Sequence, residues 1–329
     1  MQTQRTMTPP VVGRRARRAR PKGLDLRRRE AVAGVLFALP AILGFILWQL
    51  GPMLASAAIS LTDWQIGSAP RWIGLANYAG AVSPGHPIPG LLDDPLFWQS
   101  LRVTALYAAL AVPLSLVTSF CVALALSQPL RGVGLLRSVY YLPSILPGVA
   151  SALAWLWLYN PDFGLFNTLL DWAALPTSPW LSSEITVIPS LVLLSVWASG
   201  GLMIVFLAAL KGVPRSLHEA AAIDGAGALR RLWNITLPSV SPVILFNTVT
   251  ALIATFAAGI VQAQFMTNGG PNNASLFYAF YLYRTAFQDG YLGYASALAW
   301  VLFLLLLVVT LVILWAARSR VYYEEPGSA

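Results

Sequence analysis

Six long apolar stretches, at about residues 31–60, 101–127, 138–159, 185–210, 239–263 and 291–317, constrain this chain more than any other feature. Each is long enough to cross a hydrocarbon core as a helix, which takes about 20 mainly apolar residues. Of the 329 residues, 57% are hydrophobic and only 10% are charged. A soluble domain carries about a quarter of its residues as charges, so this composition belongs to a membrane protein. Short alternating strands of the barrel type are absent. Helices, which satisfy their own backbone hydrogen bonds in lipid, are therefore the spanning elements. The predicted fold is all-α, with six transmembrane helices over residues 31–317, a basic disordered tail over 1–30 and a short tail over 318–329.

Positive charge resists translocation, so the placement of Lys and Arg sets the orientation. Ten of the 21 lie in the first 30 residues, and further cations follow in the tight turn after span two (Arg131, Arg137). Lys211, Arg215, Arg230 and Arg231 lie between spans four and five, and Arg318 and Arg320 follow span six. Only Arg71, Arg102 and Arg284 fall on the opposite side. Both termini are predicted to be cytoplasmic in a bacterial-type plasma (inner) membrane. The first apolar run is longer than the core of a signal peptide and lacks a small-x-small cleavage pattern before Pro52, so a retained anchor helix is expected. The N-terminal arginines read as a topogenic tail touching anionic membrane lipid, not as a nucleic-acid grip.

Chemistry is limited by what the spans lack. Their middles contain no Asp, Glu, Lys, Arg or His, whereas ion-driven carriers place ionisable groups inside the membrane. An autonomous secondary carrier for a small polar solute is the rival reading, and this absence weighs against it. A membrane enzyme would need clustered histidines or carboxylates, but His86 and His218 fall on opposite sides. The single cysteine, Cys121, excludes an internal disulfide and a cysteine metal site. Neither Lys22 nor Lys211 sits in a phosphate-binding loop, so the chain cannot be an ATPase, and no cofactor or metal is expected. Asn273-Ala274-Ser275 is a formal glycosylation sequon, expected to be unmodified in such a membrane.

Several breaks punctuate the spans. Pro40 and Gly51-Pro52 should kink or divide span one, and Pro143 and Pro147 lie in span three. Gly200-Gly201 marks a close helix crossing or a bend in span four. Turn-rich outside segments are expected at 62–97, 160–184 and 264–290, with Asp93-Asp94-Pro95 leading into the aromatic pair Phe97-Trp98.

The basic-side loop over 211–238 is the candidate docking element. Ser216 and Glu219 have the spacing of a capping box that opens a short helix, and Gly225 and Gly227 should break it. A second short helix from about Ala228 to Ile235 should stop at Leu237-Pro238, because proline disfavours helix at the residue before it. Taken alone, Glu219 serves equally well as a cap and Asp224-Gly225 as an ordinary turn.

The run Glu219-Ala220-Ala221-Ala222-Ile223-Asp224-Gly225-Ala226-Gly227, with Leu237-Pro238 at its far end, resembles the EAA loop of permease subunits of binding-protein-dependent ABC importers. Leu39-Pro40-Ala41 to Gly51-Pro52, Arg137 to Pro147, Asn160 to Asn167, Thr267 to Pro271 and Gly293 to Ala297 are similar to the carbohydrate-uptake branch, the maltose and glycerol-phosphate permeases. The likeness covers about residues 31–317, departing from the family pattern at Val103-Thr104 and Ile260-Val261. It implies the type I importer permease fold and a sugar, oligosaccharide or related polyol as cargo. It also implies a second homologous permease, two cytoplasmic ATP-binding subunits and an extracytoplasmic solute-binding protein. Glu219 would then form the ionic contact with the ATPase, Ala220 and Ala221 the close-packing surface, and Asp224-Gly225 the turn. A sugar path needs hydroxyl-matching groups and stacking rings, for which Trp155, Trp197, Ser199, Asn247, Thr250 and Gln262 are the candidates. Each also has an ordinary role as interhelical glue or as an interfacial ring.

Overall fold

The computed structural model describes residues 23–79, 89–129 and 131–318. Most of the basic N-terminal tail and all of the C-terminal tail after Arg318 lie outside the described residues. The chain divides into two units, residues 1–55 and 56–329.

The first unit is helical from Gly23, ahead of the expected start at 31. α1 (Gly23–Phe45) runs through Pro40 into a π-helical turn, Ile46–Leu50, and then into α2 (Gly51–Ile59). Pro52 has no N–H to offer the carbonyl four residues back. The wider turn, closed by the Gly51 N–H on the Ile46 carbonyl, absorbs that loss without breaking the helix. Phe37 is 93% exposed and Trp48 83%, the surface of a helix whose solvent is lipid.

The second unit opens with a looped segment, the short α3 (Ala76–Ala79) and a 3₁₀ turn. Its centre is α4 (Pro95–Leu126), which packs against five other α-helices. This span starts six residues earlier than expected because Asp94 caps it: the carboxylate accepts the Leu96 N–H at 2.8 Å, with Pro95 at the first helical position.

Spans three and four are each broken. α5 (Val133–Tyr141) passes through a 3₁₀ turn into α6 (Gly148–Leu158) with a bend of 100° at Pro143 and Pro147. After α7 (Leu165–Trp172), α8 (Val187–Trp197) meets α9 (Gly200–Gly212) at 47°. The two breaks touch each other. A Cβ on Gly200 would lie 2.5 Å from the Tyr140 carbonyl oxygen, so only glycine lets these backbones cross. The bend and the close crossing expected at Gly200 are both present.

The basic-side loop holds α10 (Arg215–Ile223), α11 (Ala228–Arg231), a π turn and α12 (Leu237–Ser239). α13 (Ser241–Gln262), α14 (Tyr278–Tyr283) and α15 (Leu292–Ala317) complete the chain. Among the described residues there is no strand beyond an isolated bridge between Thr62 and Trp72. Among the described residues four helices are continuous and apolar enough to cross a membrane, and the number rises to six if each bent pair is one span.

One end of this unit is tied by a buried polar knot. The hydroxyls of Tyr281 and Tyr294 both donate to Asp94 Oδ2, the second at 2.6 Å. Burial pushes the Tyr281 hydroxyl well above its usual range, and the neighbouring Asp94 adds to the effect. Thr104 Oγ1 accepts the Tyr278 N–H at 2.8 Å, and the Tyr278 hydroxyl donates to the Leu298 carbonyl at 2.9 Å. α4, α14 and α15 are thereby fixed to one another.

Candidate functional site: coupling loop and pathway cavity

α10 begins one residue before the expected cap. Pro214, at φ −60° and ψ 129°, sets the entry, and no side chain caps the helix. The expected capping box is absent: Ser216 lies inside the first turn, too far along for its hydroxyl to serve the free N–H groups. Glu219 is consequently exposed and makes no hydrogen bond or ion pair among the described residues. The helix closes on a Schellman turn. The Ala226 N–H reaches the Ala221 carbonyl at 2.8 Å, the Gly225 N–H reaches Ala222 at 3.1 Å, and Gly225 sits at φ +77°. Gly227, by contrast, is extended at φ −66° and starts α11.

The second helix does not stop at Leu237-Pro238 as expected. A π turn over Leu232–Thr236 shifts the register, the Leu237 N–H bonds back to Leu232, and Pro238 enters α12 without breaking it. The break comes at Val240 instead, at φ −95° and ψ 5°. Pro238 and Leu217 line a shared groove of about 700 Å³ under α10. Ala220 is exposed and Ala221 half-buried, and the outward face also presents Ile223, 87% exposed, and Trp233, 64% exposed. Ile223 and Trp233 were not singled out in the sequence. Their signal was the presence of large apolar residues in a segment too polar to span.

A cavity of about 520 Å³ lies where α4, α13 and the two broken helices converge. Ser199, Thr250 and Gln262 line it. Ser199 receives a hydrogen bond from Ser119 Oγ at 2.9 Å and lies 3.3 Å from the Tyr140 hydroxyl. Thr250 turns its hydroxyl back to the Phe246 carbonyl at 2.9 Å. Gln262 donates to Ser195 Oγ at 3.4 Å, and Ser195 is hydrogen-bonded to the Tyr107 hydroxyl. The Gln262 Oε1 is buried without a partner, a free acceptor in a buried polar cluster. Tyr107 and Ser195 also line the cavity, although neither was among the residues expected there. The cavity does not bring in the other three candidates. Trp155 and Trp197 pack edge to face with centroids 5.5 Å apart, in a cluster with Tyr159 and Phe166. Asn247 is buried and reaches toward the Leu202 carbonyl at 3.5 Å.

A helix that presents an unpaired carboxylate on a basic-side loop, and a largely apolar cavity with a few hydroxyl and amide groups between broken spans, agree with the comparisons to known proteins. Residues 112–320 match the family described as "Binding-protein-dependent transport system inner membrane component". The chain belongs to this family. It is 36% identical over 302 residues to the probable ABC transporter permease protein YesP of Bacillus subtilis, covering 91% of this chain and 94% of that protein. It is 31% identical to the lactose transport system permease protein LacF of Rhizobium radiobacter, covering 90% and 97% of the two chains. A chain in the crystal structure of a bacterial alginate ABC transporter, in complex with an alginate pentasaccharide-bound periplasmic protein, superposes with a TM-score of 0.73. That likeness, at 21% identity over 90% of this permease and 96% of that chain, is one of fold. The permease is thus an all-helical ABC importer subunit of the carbohydrate-transport type.

Proposed function

We propose that this permease forms half of the translocation pathway of an ATP-driven importer for a sugar, oligosaccharide or related polyol, and that Glu219 transmits the ATPase motion to it. The exposed, partnerless Glu219 on a helix closed by its own Schellman turn carries the coupling part of this reading. A rigid short helix moves as a body, and a carboxylate that does not serve as a cap is free to pair with a cation on another subunit. Ala220, Ala221 and Ile223 supply the close-packing surface around it, Asp224-Gly225 the turn, and Leu237-Pro238 the far end of the loop. A second homologous permease completes the pathway. Two copies of a cytoplasmic ATP-binding subunit drive it, and an extracytoplasmic solute-binding protein delivers cargo. Six spans with both termini in the cytoplasm put the Glu219 loop on the ATPase side. Ser199, Thr250 and Gln262, joined by Tyr107 and Ser195, offer hydroxyl-matching groups to the cargo, and the lactose permease relative supports a sugar.

The test is a gentle-detergent purification of the tagged permease from native membranes, with mass-spectrometric identification of the proteins that accompany it. Wild type is expected to bring an ATP-binding subunit and a second permease. A desolvated charge pair is worth about 1.5–7 kcal/mol of coupling, so Glu219→Ala should lose most of the ATPase while keeping the second permease. Equal recovery of the ATPase with both proteins would remove Glu219 from the coupling contact.

A further inference from the structure

Behind α10 lies a second cavity of about 810 Å³, walled by the ends of α4 and α9 (Leu124 and Leu210 among others), by the inward side of α10 and by α11. Lys211, Arg215 and Arg231 all line it, together with His218, and no carboxylate does. Glu219 and Asp224, the acidic residues of the loop, form no ion pair with these cations among the described residues. Arg231 Nε is buried and has no hydrogen-bond partner.

Two ordinary explanations account for only part of this. Cations on this side of the membrane fix topology, and a cation in the last turn of a helix, as Lys211 is in α9, complements the helix dipole. The first accounts for Arg215 and Arg231 as charge on this side but not for their place around one cavity, and the second does not reach Arg215. Arg215 occupies the first position of α10, where the dipole is positive, the first turn holds no acid and no side chain caps the helix. Arg231 lines the cavity, and its charge has no acidic neighbour among the residues around it. An anion in the cavity would offset the charge of both. The apolar wall of Leu124, Leu210 and Leu232 beside the cations suits a group held at the level where span meets loop.

We infer that this cavity binds a phosphate-bearing anion, presented by an anionic phospholipid headgroup or free in solution. The anion braces α10 against the ends of α4 and α9. Lys211 and Arg231 hold it as charge-assisted donors, and Arg215 adds its charge at the helix N-terminus. The inference concerns the back of the loop and does not depend on the identity of the cargo or on the role of Glu219.

The experiment uses the full chain with its co-purifying subunits in phosphatidylcholine nanodiscs. One arm titrates in phosphatidylglycerol and counts retained lipid by native mass spectrometry. The other adds inorganic phosphate and follows hydrogen exchange over residues 209–236. Wild type should retain phosphatidylglycerol or be protected by phosphate, and the responding arm names the source. Each Lys or Arg near an anionic surface contributes about a factor of five, so the double variant Lys211→Gln/Arg231→Gln should bind about 30-fold more weakly. Arg215→Gln should weaken binding by about the single factor, which covers a double variant that folds poorly. Arg131→Gln, an exposed cation on the same side that does not line the cavity, should bind as wild type does. Equal lipid retention and equal exchange in wild type, the double variant and Arg215→Gln would overturn the site.

Discussion

Asp94 shows how one side chain can fix the start of a span and the packing of two others. Its carboxylate caps α4 through the Leu96 N–H and also takes the hydroxyls of Tyr281 and Tyr294, from nearly 200 residues away in sequence. Asp94→Ala removes the cap, worth about 1 kcal/mol, and strands two buried hydroxyls at about 1–3 kcal/mol each. The expected result is a clear fall in the unfolding temperature of the detergent-solubilised protein, followed by scanning fluorimetry. Tyr294→Phe, which deletes one donor and keeps the ring, should cost less. A wild-type melting profile for Asp94→Ala would mean that the knot does not hold the helices together. In the sequence Asp94 was legible only as a lead-in to a span, because its partners are brought to it by tertiary folding. Gly225 was legible for the opposite reason: a left-handed turn after a short helix is a local demand that glycine alone meets without strain. Gly227 resembles it on paper, but its extended backbone shows that composition does not separate the end of one helix from the start of the next.

At the scale of elements, the positions of the six apolar stretches could be read from hydropathy, and the prolines and glycines marked where they break. The size of each break could not. Pro143 and Pro147 turn span three by 100°, whereas Pro52 and Pro238 are each accommodated by a π turn that keeps the helix going. Proline removes the same hydrogen bond in every case, and the neighbours decide whether the helix bends or widens. The capping box failed on register. Pro214 starts α10 early enough that Ser216 falls inside it, which in turn frees Glu219. The pathway residues split on geometry: Ser199, Thr250 and Gln262 face the cavity, whereas the two tryptophans satisfy each other. The junction of the broken spans gives a direct test. Gly200→Ala would place a methyl 2.5 Å from the Tyr140 carbonyl oxygen and 2.9 Å from the Tyr141 Cα, contacts with backbone that cannot swing away. The variant should lose transport and stability together, at about 1–3 kcal/mol for an overpacked contact. Gly201→Ala, with open space around the added methyl, should be close to wild type in uptake and melting. Equal behaviour of the two variants would show that the crossing at Gly200 is not tight in the membrane.

The whole molecule turns on which way it faces. On the proposed orientation, read from charge placement, the Glu219 loop, both termini and the cation-lined cavity lie on the cytoplasmic side, where ATP is available. The segments around α7 and the loop before α14 are then left for a solute-binding protein. The opposite orientation would place the coupling helix where no ATPase can reach it, so topology and mechanism stand together. The single native cysteine makes this measurable, since Cys121→Ala gives a background free of thiols. Ser216→Cys in the exposed face of α10 should react with a membrane-impermeant maleimide only in inverted vesicles or permeabilised cells. Asp171→Cys, exposed in α7, should react in intact spheroplasts. The same pair tests whether span four crosses the bilayer. Between these two positions lie α8 and α9, so they face opposite compartments only if this bent pair crosses the bilayer as one span. Labelling of both cysteines from the same side would make α8 and α9 a re-entrant element, take the Glu219 loop away from the ATPase side or α7 away from the binding protein, and refute the six-span permease.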